Sequence, residues 1–411
     1  MTTRILAIET SCDETAISII EVAKSPKNRV SILSNIVVSQ IEIHKPYGGV
    51  FPMLAKREHA KNMIPVLETA LREANMYESE KKVKIFSDAE LAELNSCFER
   101  EPELLEAFRS FIPSIAVPKI DAVAFTRGPG LPPALWVGVN FARALSLAWN
   151  KPLVPINHME GHLQSSLLKI LSKDSAEIIV PAFPILALLI SGGHTEIVIS
   201  SAEFKYKVVG TTRDDAVGEA FDKAARILGL PYPGGPEISK LAANFRKSPC
   251  FAKATEGKGK YKLPRPMIHS DDLDFSFSGI KTAVLYMVQK IPVMTDGIRE
   301  EICFEFEEAV TETLLSKTMR AAEKYNPNMI LLGGGVAANS YIQKAFKEEF
   351  LKNFPEAEVF VPDRELSTDN ALMIAFAGLR RFQNDKKSVI PAGSEKIKKL
   401  AADGNWSLSF V

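Results

Sequence analysis

The chain has 411 residues, and a single hydrophobic core stops growing at about 250 to 300 residues, so two domains are expected. Hydrophobic residues make up 46% and charged residues 24%, an ordinary balance for a globular protein, and 50 basic residues offset 50 acidic ones. A formal net charge of zero is not that of a dedicated nucleic-acid binder, so any contact with RNA needs a local basic patch or a partner protein.

The four cysteines, Cys12, Cys97, Cys250 and Cys303, form no C-x-x-C pair. This usage is typical of free thiols in a reducing compartment, and we interpret Cys12 as a small buried residue rather than a nucleophile. The opening MTTRILAIET enters a strand-like run at once, without the apolar core of a signal peptide. Apolar runs end well short of the about 18 residues that cross a membrane. We therefore expect a cytoplasmic protein without a membrane span.

Residues 6–20 and 186–200 resemble each other. They read LAIETSCDETAISII and LALLISGGHTEIVIS, and each is an apolar run, a short polar turn and a second run rich in β-branched residues. That pattern predicts a β-hairpin. The two segments align without a gap, which matches Ser11 with Ser191 and Thr15 with Thr195. Hairpins of this length often look alike, but one in each half of a chain also indicates two domains of similar construction.

Strand–loop–helix units follow the first hairpin and continue to residue 382. One of them, KPLVPINHMEGHLQSSLLKI, predicts a short strand followed by a helix. Strands alternating with helices indicate an α/β fold. We place an N-terminal domain at 1–155 and a C-terminal domain at 156–411, with helix exchange expected near the boundary and at the C-terminus. Residues 76–118 are charged and helical in period, which predicts an inserted helical pair on the surface, and residues 247–266 predict an exposed loop.

Glycine-rich and hydroxyl-rich turns are the first candidate ligand-binding features. TSCDET and SGGHTE stand where the predicted strands reverse, and such turns aim backbone N–H groups at one point, which suits phosphate. GGGVAAN follows a strand and precedes a helix, so its glycines serve either a ligand or tight packing. Asp222 projects from a predicted helix near a Gly/Pro turn, a common arrangement for holding ribose hydroxyls, although a solvated helix aspartate looks the same.

The stretch INHMEGH carries two histidines, His158 and His162, at i and i+4. On a helix they share one face, and this spacing suits two imidazoles on one metal, although packed or exposed histidines also fit it. Glu160 lies roughly 200° around the helix from His158, so the stretch is not the H-E-x-x-H protease motif. The best candidate for a third ligand is Asp369 in STDNALMIAFAG, at a predicted helix start where it could equally be a cap.

Taken together, these segments resemble the tRNA N(6)-adenosine threonylcarbamoyltransferases, the bacterial TsaD family. The matching segments run in family order from residue 5 to about 380 and include IETSCDET, NHMEGH, LISGGHTE, FSFSGIKTAV, GGGVAAN and STDNALMIAFAG. The resemblance is interrupted at 76–118 and ends after about 380, so these regions receive no role from it. It implies two actin-like (ASKHA, RNase H-like) domains with a nucleotide cleft between them.

The resemblance also implies a set of site residues. One divalent metal, Fe²⁺ or Zn²⁺, would be held by His158, His162 and Asp369. The substrate threonylcarbamoyl-adenylate would be bound in two parts, its phosphate region by the backbone of one turn and its adenosine by three further residues. These are Leu189, Ile190, Ser191, Gly192 and Gly193 for the phosphate region, and Asp222, Gly235 and Asn339 for the adenosine.

The implied reaction passes the threonylcarbamoyl group to the exocyclic amine of the adenosine 3′ of the tRNA anticodon. We expect metal-assisted acyl transfer without a covalent intermediate, because no histidine-activated serine or cysteine pair is evident. No catalytic residue is assigned, and His194 is a candidate proton acceptor that equally suits a role in orienting its turn. An actin-like ATPase or small-molecule kinase would share the hairpins and the glycine loop but would not need the paired histidines.

The resemblance implies partners as well. These are tRNA, a paralogous actin-like subunit similar to TsaB, and a small ATPase similar to TsaE, with a helical face of the N-terminal domain as the expected contact for the paralogue. Basic stretches at residues 56–61 and 246–265, the latter with Lys258, Lys260 and Lys262, are candidates for an RNA-facing rim.

Overall fold

A computed structural model describes residues 2–23, 28–79, 85–249, 251 and 260–411. Cys250, Lys258 and most of the centre of the predicted loop lie outside the described residues. Contacts group the chain into two compact units: unit 1 holds the described residues of 1–43, 50–180 and 369–410, and unit 2 holds those of 44–49, 181–368 and 411. The division between folding domains at 155/156 stays a prediction.

Unit 1 is built on a seven-stranded sheet. Its strands are β1 (Thr2–Glu9), β2 (Glu14–Ala23), β3 (Arg29–Ser39), β4 (Ala122–Gly128), β5 (Leu153–Asn157), β6 (Leu168–Ser172) and β7 (Ser175–Ile178). Their order is β5-β4-β1-β2-β3-β7-β6. The first three strands pair antiparallel, whereas β4 and β5 continue the sheet parallel to β1.

Unit 2 repeats five adjacent strands of this arrangement, β5-β4-β1-β2-β3. Its strands are β8 (Ile185–Ile190), β9 (Thr195–Ala202), β10 (Lys205–Thr211), β11 (Met329–Gly333) and β12 (Glu358–Phe360), in the order β10-β9-β8-β11-β12. Again the first three strands are antiparallel and the last two run parallel to the first. The strand register matches too. Glu9 pairs with Ala16 in the first hairpin, and the residues aligned with them, Leu189 and Glu196, pair in the second. The α/β class and the RNase H-like strand order of an actin-like domain are confirmed in each unit.

Most of the helices occupy connections between strands, and the last three follow β12. They are α1 (Ile41–His44), α2 (Pro52–Glu73), α3 (Asp88–Cys97), α4 (Pro102–Phe111), α5 (Pro132–Trp149), α6 (His158–Ser165), α7 (Val217–Ile227), α8 (Gly234–Lys247), α9 (Ser278–Gln289), α10 (Asp296–Tyr325), α11 (Ser340–Asn353), α12 (Arg364–Ser367), α13 (Ala371–Asn384) and α14 (Glu395–Lys398). Short 3₁₀ turns lie at Lys45–Tyr47, Ile112–Ser114, Gly335–Ala338 and Leu408–Phe410. Across the described ranges, no helix is long and apolar enough to span a bilayer.

Each unit buries its own apolar core. In unit 1, α3 and α4 fall in the segment predicted as an inserted helical pair, and their apolar faces reach the core. Leu94 and Phe108 are fully buried, and the ring of Phe108 meets Phe141 of α5 edge-on at 5.8 Å. Near the C-terminus, α13 packs on β1, β2, β4 and α6, so the last long helix completes the unit that the first strand begins.

The helix predicted through residue 170 is wrong in its second half. Helix α6 ends at Ser165, and the hydroxyls of Ser165 and Ser166 both donate to the carbonyl of His162 at 3.0 Å. Serine hydroxyls that bind a helix carbonyl compete with continuation of the helix. The following segment forms β6, which pairs with β7, and β7 joins the sheet beside β3. Helical periodicity over a short apolar run did not distinguish a strand from a helix here.

We predict that Gly378→Ala destabilises unit 1. A Cβ at Gly378 of α13 would lie 2.4 Å from the Cβ of Ala124 in β4, so the helix must move away from the sheet. The expected loss is about 1 to 3 kcal/mol in the free energy of unfolding, despite the higher helix propensity of alanine. The matched control is Gly297→Ala in α10, where no described atom lies within 4 Å, and it is expected to be neutral or slightly stabilising. Urea unfolding followed by circular dichroism compares the two, and equal stability would contradict the packing argument.

Candidate metal centre and ligand loops

The two histidines of INHMEGH open a buried helix in unit 1. The side chain of Asn157 accepts hydrogen bonds from the backbone N–H groups of Met159 and Glu160, and therefore caps α6 immediately before His158. The i, i+4 spacing then places the imidazoles of His158 and His162 on one helix face, edge to face, with ring centroids 4.7 Å apart. Both side chains are buried.

Asp369 joins the two histidines from the loop before α13. Its Oδ1 lies 3.4 Å from Nε2 of His158 and 3.0 Å from Nε2 of His162. The helix cap is the next residue, because the side chain of Asn370 accepts from the N–H of Met373. The alternative that Asp369 serves as the cap is therefore wrong. One potential ligand atom from each of the three residues lies within 4.8 Å of the others.

Opposite charges dominate the electrostatics of this cluster. Burial alone lowers the pKa of the His158 imidazole, but Asp369 and Glu9 outweigh it and raise that pKa well above its usual value. Burial alone raises the pKa of the Asp369 carboxyl, but the His158 charge holds that pKa far below its ordinary range. In the metal-free cluster the charged forms of His158 and of the carboxylates therefore favour one another.

Two imidazoles and one carboxylate form a donor set that zinc and iron both accept. His162 supports this fit, because within the described part of the chain neither of its buried ring nitrogens has a hydrogen-bond partner. Its Nε2 lies 3.0 Å from Oδ1 of Asp369, without the geometry of a hydrogen bond. Burying imidazole nitrogens without a hydrogen bond or a metal ion lowers the stability of the fold. The three residues could thus hold one metal ion.

Two residues of this site escaped the sequence analysis. Glu9, at the end of β1, is fully buried, and its Oε2 lies 3.3 Å from Nδ1 of His158. Thr126 of β4 donates its hydroxyl proton to the same Oε2. The available signal was a lone carboxylate ending the apolar run RILAIE, which is unusual for a strand buried on both faces.

Glu160 has a structural task. Its Oε1 accepts from Nε of Arg381 at 2.9 Å and lies 2.8 Å from another guanidinium nitrogen of the same residue. Arg381 belongs to α13, so this buried pair ties the histidine-bearing helix to the helix that begins just after Asp369. The glutamate between the two histidines is accordingly not a general base beside them, in agreement with the exclusion of the protease motif.

In unit 2, the turn between β8 and β9 has open glycines. Ser191 closes the turn, since its N–H donates to the carbonyl of His194 at 2.9 Å and its hydroxyl accepts from the N–H of His194. Among the described residues, no atom would lie within 4 Å of a Cβ added at Gly192 or Gly193. The backbone N–H groups of these two glycines donate to no described residue. They are therefore available to an anionic group.

Leu189 and Ile190 differ from the glycines that follow them. Both lie in β8, where they pair with Glu196 and Thr195 of β9, and Leu189 also pairs with Gly333 of β11. Their backbones are thus committed to the sheet. Within the predicted phosphate segment, the turn residues present the accessible N–H groups, while the two strand residues fix where the turn stands.

Asp222 holds the start of α8. Its Oδ1 accepts from the N–H of Gly234 at 2.7 Å, and a Cβ at Gly234 would lie 2.4 Å from the Cβ of Ala225. Gly235, the next residue, has open space around it, since the nearest atom to an added Cβ is the Cβ of Phe221 at 4.0 Å. Asp222 of α7 thus reaches the first turn of α8, where Gly235 follows Gly234.

Asn339 is engaged on both sides of its amide. Its Oδ1 caps α11 by accepting from the N–H groups of Tyr341 and Ile342, and its Nδ2 donates to Glu307 at 2.8 Å. Only one amide hydrogen remains for a ligand. Arg246 neutralises the buried Glu307 at 2.6 Å. The amide therefore fixes the position of the glycine loop before α11.

The glycine loop combines the two alternatives that its sequence left open. Gly334 has φ +92°, and a Cβ there would lie 2.3 Å from the carbonyl oxygen of Ile190, so this glycine permits tight packing against the end of β8. Beside Gly335, by contrast, no described atom lies within 4 Å of an added Cβ. One glycine serves the packing and its neighbour leaves space.

The thiol of Cys12 is a poor nucleophile. Burial, followed by the charge of Asp13, raises its pKa well above the usual value. Cys97 and Cys303 are buried free thiols whose pKa values burial raises to about 11 and about 12. Cys12 itself is half-buried rather than fully buried, and its raised pKa disfavours the role of a nucleophile.

Glu196 follows the glycine turn in β9 and is also perturbed. Burial raises the pKa of its carboxyl to about 7, and its Oε2 has no hydrogen-bond partner among the described residues. Its ladder neighbours are Leu189 and Thr211. A carboxylate at this position, beside the glycine turn, is electrostatically unfavourable in its charged form.

The sequence is similar to known proteins along most of its length. A family model described as TsaD, tRNA N6-adenosine threonylcarbamoyltransferase, matches residues 31–83 and 104–376. Proteins of that name from Thermosipho africanus and Anaeromyxobacter sp. are 41% and 39% identical over 380 and 406 residues. The first alignment covers 92% of this chain and 94% of the relative, and the second covers 98% and 100%. The gap in the family match lies inside the predicted insertion at 76–118.

Glu196→Gln is predicted to stabilise the protein in a pH-dependent way. The folded-state pKa of about 7 exceeds the ordinary value of 4.5, so the folded state binds the proton more tightly and stability falls as pH rises between these values. The variant should exceed the wild type by roughly 1 to 3 kcal/mol above pH 7, and the difference should vanish below about pH 4. Chemical unfolding across pH measures this, with the exposed Glu358→Gln as control. A pH-independent difference would contradict it.

Proposed function

The chain belongs to the TsaD family of tRNA N6-adenosine threonylcarbamoyltransferases, and from this premise we propose that it transfers the threonylcarbamoyl group of threonylcarbamoyl-adenylate to the exocyclic amine of the adenosine 3′ of the tRNA anticodon. It is a transferase of tRNA processing. The observation that carries the proposal is the family match over most of the chain, and the alternative of an ATPase or kinase is not favoured.

We propose that His158, His162 and Asp369 hold one divalent metal ion, Fe²⁺ or Zn²⁺. Support comes from the convergence of their ligand atoms and from the His162 ring, whose nitrogens lack hydrogen bonds to the described residues. When bound, such an ion supplies a Lewis acid for acyl transfer. The chain contributes the framework: Asn157 and Asn370 cap the two helices beside which the ligands lie, and the Glu160–Arg381 pair holds these helices together.

Unit 2 is proposed to bind the adenylate. The turn at residues 189–193 takes the phosphate region, and support comes from the free N–H groups of Gly192 and Gly193 at the carboxyl end of β8. Asp222, Gly235 and Asn339 are assigned to the adenosine. Asn339 has one amide hydrogen left for the adenosine, and Asp222 already accepts a hydrogen bond from Gly234. Each residue therefore makes few direct hydrogen bonds to the ligand and also fixes the loop around it.

The proposed chemical step needs no covalent enzyme intermediate. The adenosine amine attacks the carbonyl carbon of the threonylcarbamoyl group, the new C–N bond forms, the C–O bond to the adenylate phosphate breaks, and the amine loses a proton. The raised pKa of Cys12 argues against a competing thiolate route. His194 stays a candidate proton acceptor, beside its role in closing the turn with Ser191.

Partners complete the proposal. The zero net charge favours tRNA binding with help from other proteins, namely a TsaB-like subunit and a TsaE-like ATPase, in the cytoplasm. Lys260 and Lys262, which lie within the described part of the chain, remain candidates for an RNA-facing rim.

The function and the metal site are tested together. With the TsaB-like and TsaE-like partners present, the protein should transfer labelled threonylcarbamoyl from its adenylate to tRNA. His158→Ala and Asp369→Ala should each lower bound metal and reduce transfer by about 100-fold or more, while the circular dichroism spectrum stays folded. The exposed His269→Ala is the control and should keep both properties. Stoichiometric metal in a His158→Ala/His162→Ala double variant would refute the site, and absence of transfer by the wild type would refute the function.

Adenylate binding is tested with a stable, non-hydrolysable analogue. Asp222→Ala and Asn339→Ala are each expected to weaken its affinity about 10-fold, which corresponds to the loss of roughly one good hydrogen bond. Isothermal calorimetry gives the affinity, and thermal unfolding of the free variants reports any loss of loop structure. The exposed Glu219→Ala on the same helix as Asp222 is the control. Unchanged affinity in both variants would count against the assignment.

A further inference from the structure

Glu9 occupies a position that neither the metal ligands nor the adenylate loops explain. Its side chain is fully buried at the carboxyl end of β1. Oε1 accepts from the backbone N–H of Ser11 at 2.5 Å, and Oε2 accepts from the Thr126 hydroxyl. The same Oε2 lies 3.3 Å from Nδ1 of His158. The carboxylate therefore touches one proposed metal ligand from the side opposite Asp369.

The imidazole of His158 is thus held at both of its nitrogens. Nε2 faces Asp369 at 3.4 Å, and Nδ1 faces Glu9. An imidazole that donates its Nδ1–H to a carboxylate has its lone pair on Nε2, and its ring cannot rotate without breaking that bond. His162 has no comparable anchor at its Nδ1 among the described residues. The two histidines are therefore supported unequally.

We propose that Glu9 is a positioning residue of the metal site, which accepts the Nδ1–H of His158 and so directs Nε2 toward the space that His162 and Asp369 share. The inference rests on the proposed metal site. Ser11 and Thr126 hold the carboxylate in place by its other two contacts, and these do not involve the histidine. Removal of the carboxylate leaves the three ligand residues present, but leaves the His158 ring free to turn.

A purely structural role makes a different prediction. The bonds from Ser11 and Thr126 also pin the end of β1 to the following turn and to β4. If this were all that Glu9 did, its loss would lower the stability of the metal-free protein and leave metal affinity unchanged. Thr126→Val is the matched variant for this alternative, because it removes a bond to Glu9 and leaves the Glu9–His158 contact in place.

The experiment compares wild type, Glu9→Gln and Thr126→Val in their metal-free forms. Each is titrated with Zn²⁺ against a chromophoric chelator, and separately with Co²⁺, whose visible absorption reports the geometry of the ligands. Thermal unfolding of each metal-free protein measures the structural effect. Glu9→Gln, which preserves size, is expected to weaken Zn²⁺ affinity by about 10- to 100-fold and to change the Co²⁺ spectrum. Thr126→Val is expected to lower the unfolding temperature and to change the affinity by less than about 3-fold.

The outcomes separate the two proposals. If the wild type binds no metal, the proposed metal site fails and the role of Glu9 fails with it. If the wild type binds one ion and Glu9→Gln binds equally well with an unchanged Co²⁺ spectrum, only the inference about Glu9 is overturned. The same holds if Glu9→Gln merely unfolds at a lower temperature, as Thr126→Val does.

Discussion

Parallel pairing of β1, β4 and β5 is the constraint on which the metal centre depends. Strands that run in the same direction end at the same edge of a sheet, so Glu9, Thr126 and the Asn157–His158 junction meet there although 149 positions separate Glu9 from His158 in the chain. Unit 2 obeys the same rule. Strands β8 and β11 end together, which places the glycine turn beside the glycine loop, with Gly334 packed against Ile190. Both candidate sites are thus consequences of one strand order used twice.

Because the metal centre is largely buried, its charged side chains depend on one another for stability. The fully buried carboxylate of Glu9 and the half-buried carboxylate of Asp369 lie around two buried imidazoles, where an isolated charge would be unfavourable. The positive charge of His158 lowers the pKa values of Glu9 and Asp369, and their negative charges raise the pKa of His158. Each charged group is therefore stabilised by those of opposite sign. The arrangement is consequently sensitive to the loss of any one member, since the remaining charge is left buried and unpaired. The Glu160–Arg381 pair, close by, has the same property with a purely mechanical role.

Local features of the sequence predicted the local parts of the site, and the long-range parts escaped. The spacing of His158 and His162 needs only the periodicity of one helix, and a helix start near Asp369 was visible in STDN. The sequence could not tell whether Asp369 or Asn370 is the cap, because both are favoured there. Glu9 and Thr126 could not be associated with the histidines, since strand order and register decide which distant residues meet. The end of α6 was missed for a related reason: β6 becomes a strand through its pairing with β7, which no local pattern reports.

The β1–β2 and β8–β9 hairpins have the same backbone arrangement but different residues at the positions that form the two candidate sites. In the gap-free alignment, Glu9 corresponds to Leu189, and the Cys12–Asp13 pair corresponds to Gly192 and Gly193. In unit 1 the strand ends in a buried carboxylate, and His158, which follows β5 two strands away in the same parallel group, lies 3.3 Å from it. In unit 2 the same position is an apolar side chain, and the two central residues of the following turn are glycines, which leaves their backbone N–H groups accessible to an anion. Side chains at the two glycines would restrict access to their N–H groups. The two units therefore share the backbone of the hairpin, whereas the residues at the end of its first strand and in its turn differ with the site that each unit forms.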